Sequence, residues 1–230
     1  QTSSTVTVSS PAELQAAANG GNVEIIVNWS GTRSGDITLD RSDVAIVMPN
    51  TATLDGRIQV GTRGGADVSR ISWRGGNQIG GPFVLDEADD VLFQDFHSTK
   101  DARGSSTGIN DMRCSPGGCN RVAFVSTTFD GINPGPLDSY VFYTAPNPSS
   151  SRCMILADVL ARQASGGTHV SRIQGNQQII IVDSAFVQPD NGDTADAHAE
   201  HRRSTQFPGL YDAGRRWPFG VSEPASRRWR

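Results

Sequence analysis

His97, Lys100, Asp101 and Arg103 fall within one short segment and bring an imidazole, an amine, a carboxylate and a guanidinium together. Removing a proton next to a carboxylate needs a cation to quench that carboxylate and a base to take the proton. These four side chains are the right types for both tasks, so they are expected to be catalytic. A second concentration, Asp196, His198, Glu200, His201 and Arg202, follows near the end of the chain. In an extended segment Asp196, His198 and Glu200 share a face, which suits a cation site on Asp196 and His198, or an acid–base pair. In a helix His198 and Arg202 align instead. His198, Glu200 and His201 are the catalytic candidates there, and Arg162, His169 and Arg202 are expected to hold substrate. The competing reading of all these residues is ordinary solvated loop polarity.

The elements that must position them are announced by self-similarity. Asn120–Gly131 can be laid over Gln177–Gln188 and over Ser151–Arg162, with weaker copies beginning at Asp43, Arg70 and Asp90. Anchoring on the first inward apolar residue gives positions 23, 44, 71, 91, 122, 153 and 179, a coil of about twenty residues with variable insertions. Second short strands fall between the anchors at Ile58–Val60, Phe83–Leu85, Gly108–Asn110, Tyr140–Phe142 and His169–Ser171. Short alternating strands joined by Gly, Asn, Asp and Pro turns suit an all-β solenoid. Alternation turns Val44/Ile46, Ile71/Trp73, Val91/Phe93, Val122/Phe124, Cys153/Ile155 and Ile179/Ile181 inward. It leaves Met154, Leu156, Ile180 and Val182 on an apolar outer face that something must cover. The longest insertions stack on one edge and carry His97, Lys100, Asp101, Arg103, Asp130, Asn133, Asp138, Arg162, Gln163 and His169.

The recurring V-x-(I/F)-x-x-x-x-F coil resembles the right-handed parallel β-helix of the pectate-lyase-like superfamily. The opening is similar too: Val6–Val8 leads into Ser10, Pro11 and Glu13, which form an N-cap, a first-turn proline and a capping-box acid. The resemblance implies a single β-helix domain over residues 1–200 with a capping helix at about 11–18, followed by a tail at 201–230. It implies a polysaccharide, notably an acidic one, as the molecule bound or cleaved. As an enzyme the chain would be a polysaccharide lyase or glycoside hydrolase, and calcium is the cofactor the resemblance implies. The superfamily's diagnostic strings are missing, however. Val125–Ser126 stands where an Asp-His step is expected, no Arg-x-Pro-x-x-Arg occurs, and Arg172-Ile173-Gln174 lacks a lysine. Family mechanisms are therefore not carried over residue by residue. The alternative is a non-enzymatic structural or adhesive subunit of a surface assembly, appendage or phage spike.

Composition narrows the field. The 230 residues are 36% apolar and 19% charged, with 25 glycines, 12 prolines and a net charge of −4. Whole-molecule attraction to nucleic acid is not expected, and no apolar run approaches the roughly 20 residues of a membrane-spanning helix. Cys114 and Cys119 flank Ser-Pro-Gly-Gly and are expected to close a small disulfide loop, which suits an extracellular, periplasmic or cell- or virion-surface setting. Cys153 is expected to be a buried thiol. The Arg- and aromatic-rich tail is expected to pack on the solenoid's apolar outer face or on a partner, with homo- or hetero-oligomerisation through that face as the other outcome.

Overall fold

Segments such as Val23–Val27, Val44–Val47 and Ile179–Val182 are β-branched almost throughout, which favours a pleated, half-buried strand over a helix. The computed structural model describes residues 4–62, 65–101, 110–112, 119–133, 140–144, 152–163, 169–173 and 178–187. All belong to the compact unit Gln1–Ala197, and the second unit, His198–Arg230, lies outside the described residues. Within them the chain forms one curled sheet of parallel strands and one short helix. The all-β expectation holds, and the curl is solenoid-like.

The pairings form three ladders. The first joins Ser4–Val8, Val23–Val27, Val44–Val47, Val68–Arg74, Ala88–Gln94, the starts of Asn120–Asn133 and Arg152–Gln163, and Ile179–Val182. The second runs from Gly31–Ser34 through the starts of Ala52–Val60 and Asn77–Leu85 to His97–Asp101. It continues through the ends of the two long strands to Ala185–Val187. The third joins Ile37–Leu39, the ends of Ala52–Val60 and Asn77–Leu85, Asn110–Met112, Tyr140–Thr144 and His169–Ile173. Every pairing is parallel, and the chain returns to the first ladder at Val23, Val44, Ile71, Val91, Val122, Met154 and Ile179.

The residue before most of these anchors has left-handed backbone: Asn22, Asp43, Arg70, Asp90, Arg121 and Cys153 have φ between 48° and 64°. Their side chains stack from coil to coil. Arg70 clasps Asp43, with Nη2 donating to Oδ2 at 2.7 Å, and Arg121 clasps Asp90 in the same two-pronged way. These guanidinium hydrogen bonds hold the Asp43 and Asp90 carboxyls below the usual carboxylate range. At the next corner Gly75 and Gly76 both have positive φ, and a Cβ on either would collide with Met48.

One expectation is corrected here. Cys153 is not an inward anchor but the exposed corner residue, with its Sγ donating to Gln178 Oε1. Met154 and Leu156 are therefore buried, at 2% and 0% exposure, while Ile155 faces out. Because side chains alternate, a slip of one residue exchanges every face of a strand. The physical preference is plain: this register puts Met154, Leu156, Val159 and Ala161 into the core together. Ile180 and Val182 do lie outside, at 55% and 47% exposure, and with Ile155 they form the apolar outer patch. The expectation that residues 205–230 cross this face falls outside the described residues.

The core is aliphatic at the N-terminal end and aromatic in the middle. Trp73, Phe93 and Phe124 stack in successive coils, with ring centroids 6.0 and 5.8 Å apart. Phe83 meets Phe93 edge-on at 4.6 Å. The helix Pro11–Ala18 covers the first coil, burying Pro11, Leu14 and Ala18. Ser10 caps it by accepting from the Glu13 amide at 3.3 Å. The Glu13 carboxylate reaches back to the Ser9 amide, one residue earlier than a capping box requires. Gln15 then acts as a surrogate strand. Its Oε1 accepts from the Thr38 amide at 2.6 Å and its Nε2 donates to the Thr38 carbonyl at 2.8 Å, closing part of the third ladder's open edge.

Leu14 is fully buried under the first coil, so Leu14→Ala should cost about 2–5 kcal/mol in urea unfolding. A loss under about 1 kcal/mol would show that the helix seals nothing. Cys153 should react with an aromatic disulfide reagent in the folded protein as an exposed thiol does. Protection until unfolding would return it to the core.

Candidate functional site

The second ladder turns one row of side chains outward across successive coils. Thr32, Thr53, Asn77, His97 and Thr128 are register partners, and beside them run Ser34, Asp55, Ile79, Thr99, Asp130 and Arg162. Neighbouring strands lie about 4.8 Å apart, so each coil presents one polar group per rung. The row is anchored from inside. Gln78 is fully buried, with Nε2 donating to the Gly56 and Gly81 carbonyls at 2.8 and 3.0 Å. Ser98 Oγ donates to Gln78 Oε1 at 2.8 Å. The strand carrying His97 is thereby fixed on its inner side by a hydrogen bond as well as by apolar packing.

Toward the row's C-terminal end three side chains from three coils meet. His97 Nε2 lies 2.8 Å from Asp130 Oδ2 and 3.2 Å from Thr99 Oγ1. Arg162 grips the same carboxylate from the next coil, Nε donating to Oδ1 at 2.6 Å and Nη2 to Oδ2 at 2.7 Å. Partial burial pushes the Asp130 carboxyl up, but the hydrogen bonds from Arg162 and His97 outweigh it and hold the group below its ordinary range. The same contact raises Arg162 above its usual value. An ionised Asp130 can only accept, so Nε2 carries the proton in this contact. In a neutral imidazole Nδ1 is then left as the basic nitrogen. The His97 side chain is 41% exposed, against 14% for Asp130. The arrangement is an oriented imidazole open to solvent, backed by a carboxylate that a guanidinium keeps charged.

Of the residues expected at the site, the structure brings His97 and Arg162 together through Asp130. Lys100 and Asp101 continue the His97 strand, their backbones opposite Gly131 and Asn133. His169 sits on the third ladder, opposite Tyr140, rather than on the second. Arg103, Asp196, His198, Glu200, His201 and Arg202 lie outside the described residues. Among those described, no group of three or more His, Cys, Asp or Glu is placed to hold a metal ion. Cys119 is buried and disulfide-bonded, whereas Cys114 lies outside the described residues.

Asp130 is the residue to which sequence reasoning gave no role. The signal was nonetheless present: the same step that takes Val91 to Val122 takes Thr99 to Asp130, and the step from Val122 to Met154 takes Asp130 to Arg162. The chain matches no family model, no curated protein and no solved structure. The likeness to pectate-lyase-like coils thus rests on the coil pattern itself.

Arg162 and His97 favour the ionised form of Asp130 in the folded chain. Stability gained from the ionised carboxylate is fully present above the ordinary carboxylate range and is lost as pH falls through the depressed folded value. Asp130→Asn should therefore lower the unfolding temperature at neutral pH, and the gap to the parent protein should close as the medium is acidified. A gap that stays constant into strong acid would mean that the two pairs contribute nothing.

Proposed function

We propose that the curled sheet is a right-handed parallel β-helix that acts outside the cell or at a cell or virion surface, binding an acidic polysaccharide and cleaving it by elimination. The observation that carries the reading is the His97–Asp130–Arg162 cluster set within an outward polar row that crosses the coils. An extended polymer laid across the strands would meet one rung per coil, and the oriented imidazole lies in its path. In this reading His97 Nδ1 takes the proton beside a uronate carboxylate, whose charge a cation must quench for the proton to leave. The electron pair left behind forms the new carbon–carbon double bond as the glycosidic oxygen departs, taking its proton from water. Asp130 holds the imidazole's tautomer, and Arg162 holds Asp130. The disulfide at Cys119 supports the location, since such bonds persist in oxidising compartments.

The test is a panel of acidic glycans, polygalacturonate and alginate among them, followed by the near-ultraviolet absorbance of unsaturated uronate. Product is expected with the parent chain, and a loss of about 10²-fold or more in His97→Ala with the fold retained. Product formed equally by the variant, or none on any glycan, would sink the catalytic reading.

A second reading has its own support. The exposed patch of Ile155, Ile180 and Val182 is what a subunit of a larger assembly would bury. A solution mass above that of one chain, reduced by Ile180→Glu, would favour it. A monomer insensitive to that change would count against it.

A further inference from the structure

The N-terminal end of the sheet presents one strand edge from each ladder, and an open edge is a pairing site unless something blunts it. Two of these edges are blunted. On the third ladder Gln15 occupies the edge, its Oε1 accepting from the Thr38 amide at 2.6 Å and its Nε2 donating to the Thr38 carbonyl at 2.8 Å. On the second, Arg33 stands at an inward register position, opposite the buried Leu54. A charge at such a position opposes the stacking of a further strand. The first ladder has no such guard. Among the described residues Ser4–Val8 pairs only with Val23–Val27, and its five residues carry no charge, no proline and no bulge. Ser4, Thr5, Val6 and Thr7 are all exposed. Val6 holds an inward register position opposite Ile25, yet it is 39% exposed against 0% for Ile25. What it lacks is a neighbour beyond the edge.

We propose that the open edge of Ser4–Val8 pairs with the same strand of a second copy, antiparallel about a two-fold axis at Val6. The strand is self-complementary for that arrangement. The axis sets Val6 on Val6, Thr5 on Thr7 and Ser4 on Val8. Ser4, Val6 and Val8 then share the core-side face, and the threonines share the outer face, where Thr–Thr pairs are favourable. Val6 gains the apolar neighbour that a single chain leaves out. Head-to-tail growth, with one copy's last coil continuing another's first, would need all three edges. Arg33, Gln15 and the helix Pro11–Ala18 stand in its way, so the assembly closes at two. A five-residue edge buries less than the roughly 1,200 Å² of stable complexes, so the pair is weak and concentration-dependent. It uses neither the His97 cluster nor the patch of Ile155, Ile180 and Val182, and it rests on neither functional reading.

The experiment is sedimentation equilibrium of the full chain from micromolar to millimolar concentration. The mass should rise from one chain toward two and stop there. In the proposed register Thr7 faces Thr5 of the second copy, and the Thr5 hydroxyl donates to Glu24 Oε2 at 3.2 Å within its own chain. Thr7→Glu therefore sets a carboxylate against an acidic neighbour at two symmetric places and should weaken association about tenfold. Adding Thr5→Lys gives each introduced carboxylate an opposite charge across the axis and should restore association. Both threonines are exposed, and circular dichroism checks that the variants fold. Ile180→Glu should leave the pair unchanged. A monomer at every concentration, growth past two chains, association undiminished in Thr7→Glu, or no rescue by Thr5→Lys would overturn the proposal. Loss of association in Ile180→Glu would move the interface to the outer patch and overturn it as well.

Discussion

Most turns onto the first ladder pass through a residue held in left-handed backbone, and the rest of the fold follows from that corner. Asn22, Asp43, Arg70, Asp90, Arg121 and Cys153 each reverse the chain so that the next side chain drops into the core. Left-handed backbone disfavours every residue with a Cβ, and only Asn and Asp tolerate it well. Arg and Cys occupy it here because the corner is shared: each sits in the column formed by its neighbours. The two-pronged Arg–Asp clasps tie Asp43 to Arg70 and Asp90 to Arg121, holding successive coils in line where the backbone is most constrained.

Once the corners align, the inward residues have no freedom of register. Trp73, Phe93 and Phe124 stack because their corners stack, and the same alignment sets the second ladder. His97, Asp130 and Arg162 thus meet at hydrogen-bonding distance although about thirty residues separate each from the next along the chain. The cluster is a by-product of coil registration. Gln78 and Ser98 fix one rung from the inside, so the imidazole is positioned by buried amide chemistry as well as by its carboxylate.

Much of this was legible in the residues. The capping helix could be read from Ser10, Pro11 and Glu13, and the anchors at 23, 44, 71, 91, 122 and 179 from valine and isoleucine recurring after a polar corner. The coil at 153 was not legible, for a definite reason. Apolar residues run without interruption through Cys153, Met154, Ile155 and Leu156, so alternation offers two registers of equal hydrophobicity. Packing volume then decides, favouring the long Met154 and Leu156 side chains inside. That one-residue slip also hid the pairing of Asp130 with Arg162, because a step of wrong length sets the arginine beside the wrong rung.

The corner column carries alternating charge: Asp43, Arg70, Asp90, Arg121. An alternating row repeats every two coils, not every one. Deleting a single coil from its middle would set aspartate on aspartate or arginine on arginine at a corner already constrained by its backbone, and like charges in direct register repel. Removing two coils, or inserting two, preserves the sequence of signs. The column therefore works as a parity rule on the length of the curled sheet: its charge pattern stays intact only when coils are added or removed in pairs.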